Sequence, residues 1–324
     1  MNNNLATTNQ NAKLALTKSK NLLNITKSLL SNQQSSHYAD DSWIEKLFKW
    51  ADEKYIPNYE WVQDKDNEEE GYYNGIPRDA KTLFKLKTLK LYNLDFEQLP
   101  NEFFNLIQLE KLTINNSNLK KLSNKIKNLK NLRDLSLVKN QLSELPNELQ
   151  HLTKLTDIHL HTNNFKVFPE VLHSIKSLIH ICIYQNKIKY IPKEINQLKD
   201  LDLLTIDNNM ITDLPIELFE LKKLKTLAIF DNKITMIPSE IKYLININLL
   251  VLGDNNIMDT LPDEICNLGI SNTLYLKNMS RLVLTEKQKE WISDLEKNGC
   301  TVYTDDDLFS RGIPEIDIDD EIPF

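Results

Sequence analysis

Residues 132–154 read LRDLSLVKNQLSELPNELQHLTK, and this stretch decides the fold. Seven apolar residues punctuate it (Leu132, Leu135, Leu137, Leu142, Leu145, Leu149 and Leu152), with Asn140 and Pro146 at fixed places among them. The same unit recurs on either side. Its first apolar residue falls at Leu86, Leu109, Leu132, Leu155, Leu178, Leu201, Leu224 and Ile247, a constant step of 23 residues. A fixed period of this size marks a solenoid, in which no unit buries its apolar face alone and stacked neighbours make the core.

The front of each unit, L-x-x-L-x-L, ends in apolar/polar alternation, which suits a short strand with one buried face. The back, L-P-x-x-I-x-x-L, changes to a spacing of three and four, which suits a short helical or 3₁₀ turn. Proline cannot donate to a ladder but is tolerated in a helix's first turn, so it marks the change of regime. An asparagine recurs at Asn140, Asn163, Asn186, Asn209, Asn232 and Asn255. An inward amide there has donors and an acceptor, enough to satisfy backbone groups of a tight turn in its own and the neighbouring copy.

The pattern L-x-x-L-x-L-x-x-N-x-L-x-x-L-P-x-x-I-x-x-L resembles the leucine-rich repeat in its intracellular, Pro-containing, 23-residue form, and the likeness covers a little over half the chain. The resemblance implies an α/β solenoid. Its features would be a right-handed horseshoe, parallel strands on the concave side, short helices or 3₁₀ turns on the convex side, and binding through the concave side.

Departures from the pattern mark the ends. The Asn position holds Leu94 in the first copy and Ser117 in the second, and Ser123 replaces the second proline. One extra residue in the eighth copy is placed within Met258-Asp259-Thr260, between Ile257 and Leu261. The expected division is a polar, basic leader over 1–36, an N-terminal cap over 37–85, and eight full copies plus one degenerate copy over 86–284. A C-terminal cap helix and strand over 285–304 and an acidic, disordered tail over 305–324 complete it. The leader carries Leu22, Ile25 and Leu29 on one potential helix face. In the N-terminal cap, Ser42 and Glu45 make a capping-box pattern, Trp43, Leu47, Trp50 and Ala51 share a side, and Asn74-Gly75 can close a hairpin. In the C-terminal cap, Thr285 and Gln288 repeat the capping box, Trp291, Ile292 and Leu295 line one face, and Gly299 suits the carboxyl cap. All four tryptophans lie outside the repeats, where large rings can cover an open apolar end.

The formal charge is −7. Four lysines and no acid precede Asp40, so the remainder carries −11. An acidic body argues against nucleic acid as the main partner. No apolar run reaches the ~18 residues that span a bilayer, and the start lacks a secretory h-region. Three scattered cysteines (Cys182, Cys266, Cys300) fit a reducing cytosol better than a disulfide framework. The expectation is a monomeric, cytoplasmic bacterial protein without a cofactor. Some leucine-rich repeat effectors use a C-x-D cysteine for ubiquitin transfer, but Cys300 is followed by Thr301 and Val302. No Gly lies between Gly75 and Gly253 to cradle a phosphate, and no G-x-S-x-G, H-E-x-x-H or C-x-x-C occurs.

Any site is expected on the concave ladder, at the third, fifth, seventh and eighth positions of each copy, whose side chains are expected to be free of packing duty. Those positions bring Asp157, His159, His161, His180, Cys182 and Tyr184 into one central patch, with Tyr92 toward the amino end. Asp207, Phe230, Asp231 and Asp254 follow toward the carboxyl end. The principal reading is recognition of a partner protein, since aromatic and His side chains offer flat area with a polar tip. The alternatives are an exported effector using the same scaffold on a host protein, a metal-dependent activity at His159, His161 and Cys182, and exposed residues with no function.

Overall fold

The computed structural model describes residues 42–63 and 71–305. Within them, twelve strands form one sheet in which spatial order follows chain order. The strands are Glu60–Gln63 (β1), Gly71–Asn74 (β2), Thr88–Tyr92 (β3), Lys111–Asn115 (β4), Asp134–Ser136 (β5) and Asp157–His159 (β6). His180–Cys182 (β7), Leu203–Thr205 (β8), Thr226–Ala228 (β9), Leu249–Val251 (β10), Thr273–Tyr275 (β11) and Thr301–Tyr303 (β12) follow. β1 and β2 are antiparallel, and every later pair is parallel. The register is the sequence period itself: Asp134, Asp157, His180, Leu203, Thr226 and Leu249 are successive partners across five strand pairs.

Each full copy returns from its strand through a five-residue 3₁₀ turn, such as Asn147–His151, Lys193–Gln197 and Ile216–Glu220. The 3₁₀ helix is the tighter form and is used in short pieces, which suits a return of this length. The proline lies one residue before the turn in extended conformation (Pro192, φ −70, ψ 147), and its carbonyl accepts the Ile195 N–H at 3.1 Å. Where Ser123 replaces it, the hydroxyl accepts the Lys125 N–H at 3.2 Å.

The asparagines stitch neighbouring copies together as expected. Asn163 Oδ1 accepts the Leu142 N–H at 3.0 Å, while Nδ2 donates to the carbonyls of Leu137 and Leu160 at 2.9 and 3.0 Å. One amide thus binds backbone in two copies. Just before it, the eighth position takes positive φ in every copy, from Asn93 (58) through Lys139 (53), Thr162 (57) and Asp254 (56) to Asn278 (58). The eighth position is therefore a left-handed turn rather than an outward strand position, and its side chains leave along the edge of the sheet.

Two details differ from the sequence reading. Asn74-Gly75 does not close the β1–β2 hairpin, whose connection is residues 64–70. Gly75 instead turns the chain out of β2 at φ +99, where a Cβ would lie 2.1 Å from the Pro57 carbonyl oxygen. In the eighth copy Met258 is fully buried and Ile257 is exposed. Met258 therefore takes the core slot two places after the asparagine in other copies, and the extra residue lies before it. In the ninth copy Met279 fills the asparagine's place, and the carboxylate of Asp305 accepts the N–H groups of Asn278 and Met279 at 2.7 and 2.8 Å.

A helix lies at each end of the core. Ser42–Glu53 (α1) buries Ile44, Leu47, Phe48 and Ala51, adding Ile44 and Phe48 to the face read from sequence. Trp43 and Trp50 flank it edge-on to Phe84 and Phe96, at 5.8 and 5.3 Å. A single turn, Ala80–Leu83 (α2), follows β2. At the far end Glu286–Lys297 (α3) starts with a complete Thr285–Gln288 capping box and buries Trp291, whose Nε1 donates to the Leu268 carbonyl at 2.9 Å. Trp61 departs from the covering role, lying exposed against Tyr73. No described helix is long and apolar enough to cross a membrane. The leader and the distal tail lie outside the described residues.

Candidate functional site

The strand register sorts the open face of the sheet into rows, because neighbouring strands are about 4.8 Å apart. After Thr88 the third-position row is charged through Lys111, Asp134, Asp157 and His180, then loses its charge at Leu203, Thr226 and Leu249. The fifth-position row runs Ser136, His159, Cys182, Thr205, Ala228 and Val251. A polar half therefore meets an apolar half at β7 and β8.

In the polar half, Lys111 Nζ lies 3.3 Å from Asp134, whose carboxylate is 3.9 Å from His159 Nε2. His180 Nδ1 and Asp157 Oδ1 are 2.5 Å apart, and Thr156 Oγ1 donates to the other Asp157 oxygen. The bond from Asp157 raises the His180 pKa against the opposing effect of burial. Burial pushes Asp157 up, but the His180 and Thr156 hydrogen bonds outweigh it and its pKa falls below the usual value. Burial lowers His159, partly offset by Asp134 and Asp157. His161 is lowered to about 3 by burial, with His159 and Lys139 adding to the effect. β7 thus holds a His180 biased toward imidazolium, and the chain just after β6 holds a neutral His161.

The expectation of ladder side chains free of packing duty fails in the centre. Cys182 is 1 % exposed and Tyr184 7 %, packed with Leu203. His161 stacks on Tyr184 with ring centres 4.1 Å apart and planes 8° from parallel. Asp207 is 2 % exposed, and its Oδ1 accepts the Phe230 N–H at 3.0 Å. Asn115 holds the Val138 N–H in the same way at the same position. Asp207 is thus a brace between strand ends, and its carboxylate is not offered to a partner. Phe230 packs with Tyr275 over Ala228, Leu249 and Val251. Gly253 makes room for that arrangement: a Cβ there would lie 2.5 Å from the Tyr275 ring.

The remaining expected residues are dispersed. Tyr92 packs on Tyr72 at the amino end, ring centres 4.6 Å apart. Asp231 and Asp254 occupy left-handed turns at the sheet's edge. Burial raises the Asp254 pKa, and the nearby charges of Asp231 and Asp305 raise it further. His159 and Cys182 are strand partners, but His161 is committed to the Tyr184 ring. Among the described residues no group of three His, Cys, Asp or Glu side chains is placed to hold a metal ion.

No family model matches the chain, and no curated protein does. Among solved structures, a crystal structure of a TDR receptor superposes with a TM-score of 0.59 at 22% identity, covering 68% of this chain and 43% of that one. The fold is that of the leucine-rich repeat. A leucine-rich repeat protein of Leptospira interrogans (25% identity, 70% and 80% coverage, TM-score 0.42) is also similar. So is an internalin of Listeria monocytogenes (23%, 76% and 80%, 0.47). The chain spans less than half the length of the receptor it superposes on.

Where the halves of the leucine-rich repeat face meet, a groove of about 480 Å³ opens. Its floor is Cys182, Leu203, Thr226 and Leu249; its rim is Asp157, His159, His180, Asp202, Lys225, Asn248 and Asn272. Lys225 reaches Asp202 at 3.0 Å across the rim. Leu203, Thr226 and Leu249 stand at third positions of their copies, but none carries a reactive group that would mark it in the sequence. A second hollow of about 550 Å³ lies away from the face, between Trp50, Lys54, Glu97, Lys120 and Lys121. It has a single ion pair, Lys120 with Glu97, and no buried titratable group.

Proposed function

We propose that this leucine-rich repeat chain is a non-catalytic binding module that takes a partner protein on the open face of its sheet. The observation that carries the reading is the groove at the polar–apolar junction. An apolar floor with a few polar groups on its rim is the composition of a recognition site. A face fixed by backbone and asparagine ladders loses little ordering entropy on binding. The likeness to a receptor structure supports the scaffold and leaves the partner to be identified.

The chemistry favours binding over catalysis. The His180–Asp157 pair resembles half of a nucleophilic relay, but the adjacent Cys182 thiol is buried. Burial raises the Cys266 and Cys300 thiols, so neither is a thiolate at neutral pH.

The test is an interaction screen with the full chain, repeated with a His180→Ala, Asn248→Arg double variant at the groove and with Lys193→Glu on the opposite side. Loss of the partner in the groove variant, with circular dichroism unchanged, is the expected result. A partner lost with Lys193→Glu and kept by the groove variant overturns the assignment.

A further inference from the structure

One edge of the solenoid carries a second surface. It lies after the left-handed turns, where the tenth, twelfth and thirteenth positions of each copy project outward around a buried eleventh. In copies four to seven these positions hold Lys166, Lys187, Lys189 and Lys233, interleaved with Val167, Tyr190, Met210 and Met236. All eight are exposed, with Tyr190 at 53% and Met236 at 61%. Asp213, held by the Thr212 hydroxyl, is the one acid at these positions in the four copies. Among the described residues none of these four lysines meets a carboxylate. On the opposite edge, by contrast, Lys199 pairs with Glu220 and Lys223 with Asp200. A basic strip with large apolar side chains, in an acidic protein, is a surface that calls for an acidic and apolar occupant.

The chain itself holds such a segment. Residues 306–324, DDLFSRGIPEIDIDDEIPF, carry seven acids and one arginine, with Ile313, Ile316, Ile318 and Ile322 spaced among them. Their point of departure is fixed. β12 aligns Thr301 with Thr273, so Asp305 stands at the seventh position of its row, and its carboxylate holds the Asn278 and Met279 N–H groups. Asp305, the last described residue, therefore stands just before the point at which every other copy turns into the edge that bears the strip. From β12 back to β6 is six strand steps, about 30 Å at about 4.8 Å each. Nineteen extended residues reach about 60 Å, twice that distance.

We propose that residues 306–324 dock intramolecularly along this edge, pairing their carboxylates with Lys233, Lys189, Lys187 and Lys166 and covering Met236, Tyr190 and Val167. The occupant is held by charge and apolar burial together, so binding weakens with salt without vanishing. The proposal is independent of the groove, which lies on the sheet face.

The test uses the full chain and a zero-length carbodiimide reagent that joins lysine to carboxylate, on an equal mixture of ¹⁴N- and ¹⁵N-labelled protein. The expected products link Glu315–Glu321 to the four strip lysines within one isotope, and raising the salt from 0.05 to 0.5 M cuts their yield about fivefold. A Lys187→Glu, Lys189→Glu, Lys233→Glu variant, whose changes lie on exposed side chains, loses these links and gains amide exchange at residues 313–322. Links of mixed isotope place the segment on a second copy and overturn the intramolecular assignment. Links confined to other lysines, or exchange at residues 313–322 unaffected by the charge reversal, overturn the strip itself.

Discussion

Replacing Asn186 by leucine, which nearly conserves volume, tests the account of the asparagine ladder. The wild-type amide makes four bonds: Oδ1 accepts from Phe165 N–H at 3.1 Å, and Nδ2 donates to the carbonyls of Leu160, Ile183 and Tyr184 at 3.1 to 3.2 Å. Three of those four partners have another bond. Leu160 also accepts from Asn163 at 3.0 Å, Ile183 from Asn209 at 3.2 Å, and Tyr184 from the Thr162 N–H at 3.0 Å. The Phe165 N–H alone is orphaned. A buried unsatisfied donor costs about 1–3 kcal/mol, and three weakened carbonyls add about 1 kcal/mol together, for a total of about 2–4 kcal/mol. Urea unfolding followed by circular dichroism measures this total, with the transition midpoint falling and its slope preserved. Amide exchange should accelerate first in the fourth and fifth copies, because each copy contacts only its neighbours. A loss below about 0.5 kcal/mol, the range of surface substitutions, refutes the reasoning.

The other predictions concern charge, space and the terminal rung. His161 has a folded-state pKa below its unfolded value, so the unfolded chain binds the proton first and stability falls as pH drops from about 6.5 towards about 3. His161→Phe keeps the stack on Tyr184, so the thermal midpoint of that variant should fall less over the same interval; an identical acid limb contradicts it. His180 has the opposite sign. Its raised pKa contributes stability below the unfolded value that is lost as pH rises through the folded one, and NMR titration of Asp157→Asn should return His180 towards its ordinary pKa. Gly253→Ala places a Cβ 2.5 Å from the Tyr275 ring and 2.6 Å from the Lys277 carbonyl oxygen. The ring can move but the backbone cannot, so a cost of about 1–3 kcal/mol is expected in the same urea assay, and a neutral result contradicts it. Asp305→Ala strips the acceptor from the Asn278 and Met279 N–H groups, and exchange at those two amides should rise at least tenfold.

The scaffold was almost fully legible because its determinants repeat. A leucine at a fixed offset recurs in register, and Asn140 to Asn255 show their purpose by spacing alone. The errors arose at single positions where no repetition helps. The extra residue of the eighth copy could be placed on either side of Met258, and only packing distinguishes Met258 from Ile257 as the buried one. The left-handed eighth position was hidden because it is held by Asn, Lys, Thr, Gln and Asp alike, without the glycine that signals positive φ. The site was legible in part. Period alone aligned His159 with Cys182 and Asp157 with His180. Period does not report side-chain size across a row, which is why the burial of Cys182 and Asp207 came from the structure. The groove floor is built on residues without reactive groups, so nothing in the residue type of Leu203 or Leu249 marks it in the sequence.

The proposed binding face is tested most directly by site-specific photo-crosslinking in the native cell, with the photoreactive residue at Asn248 on the groove rim or at Lys193 on the opposite side. Both positions are exposed, so either probe is available to a partner. The account predicts one discrete protein adduct from position 248 that disappears with His180→Ala, and none from position 193. The same adduct formed from position 193, or from both positions alike, contradicts it.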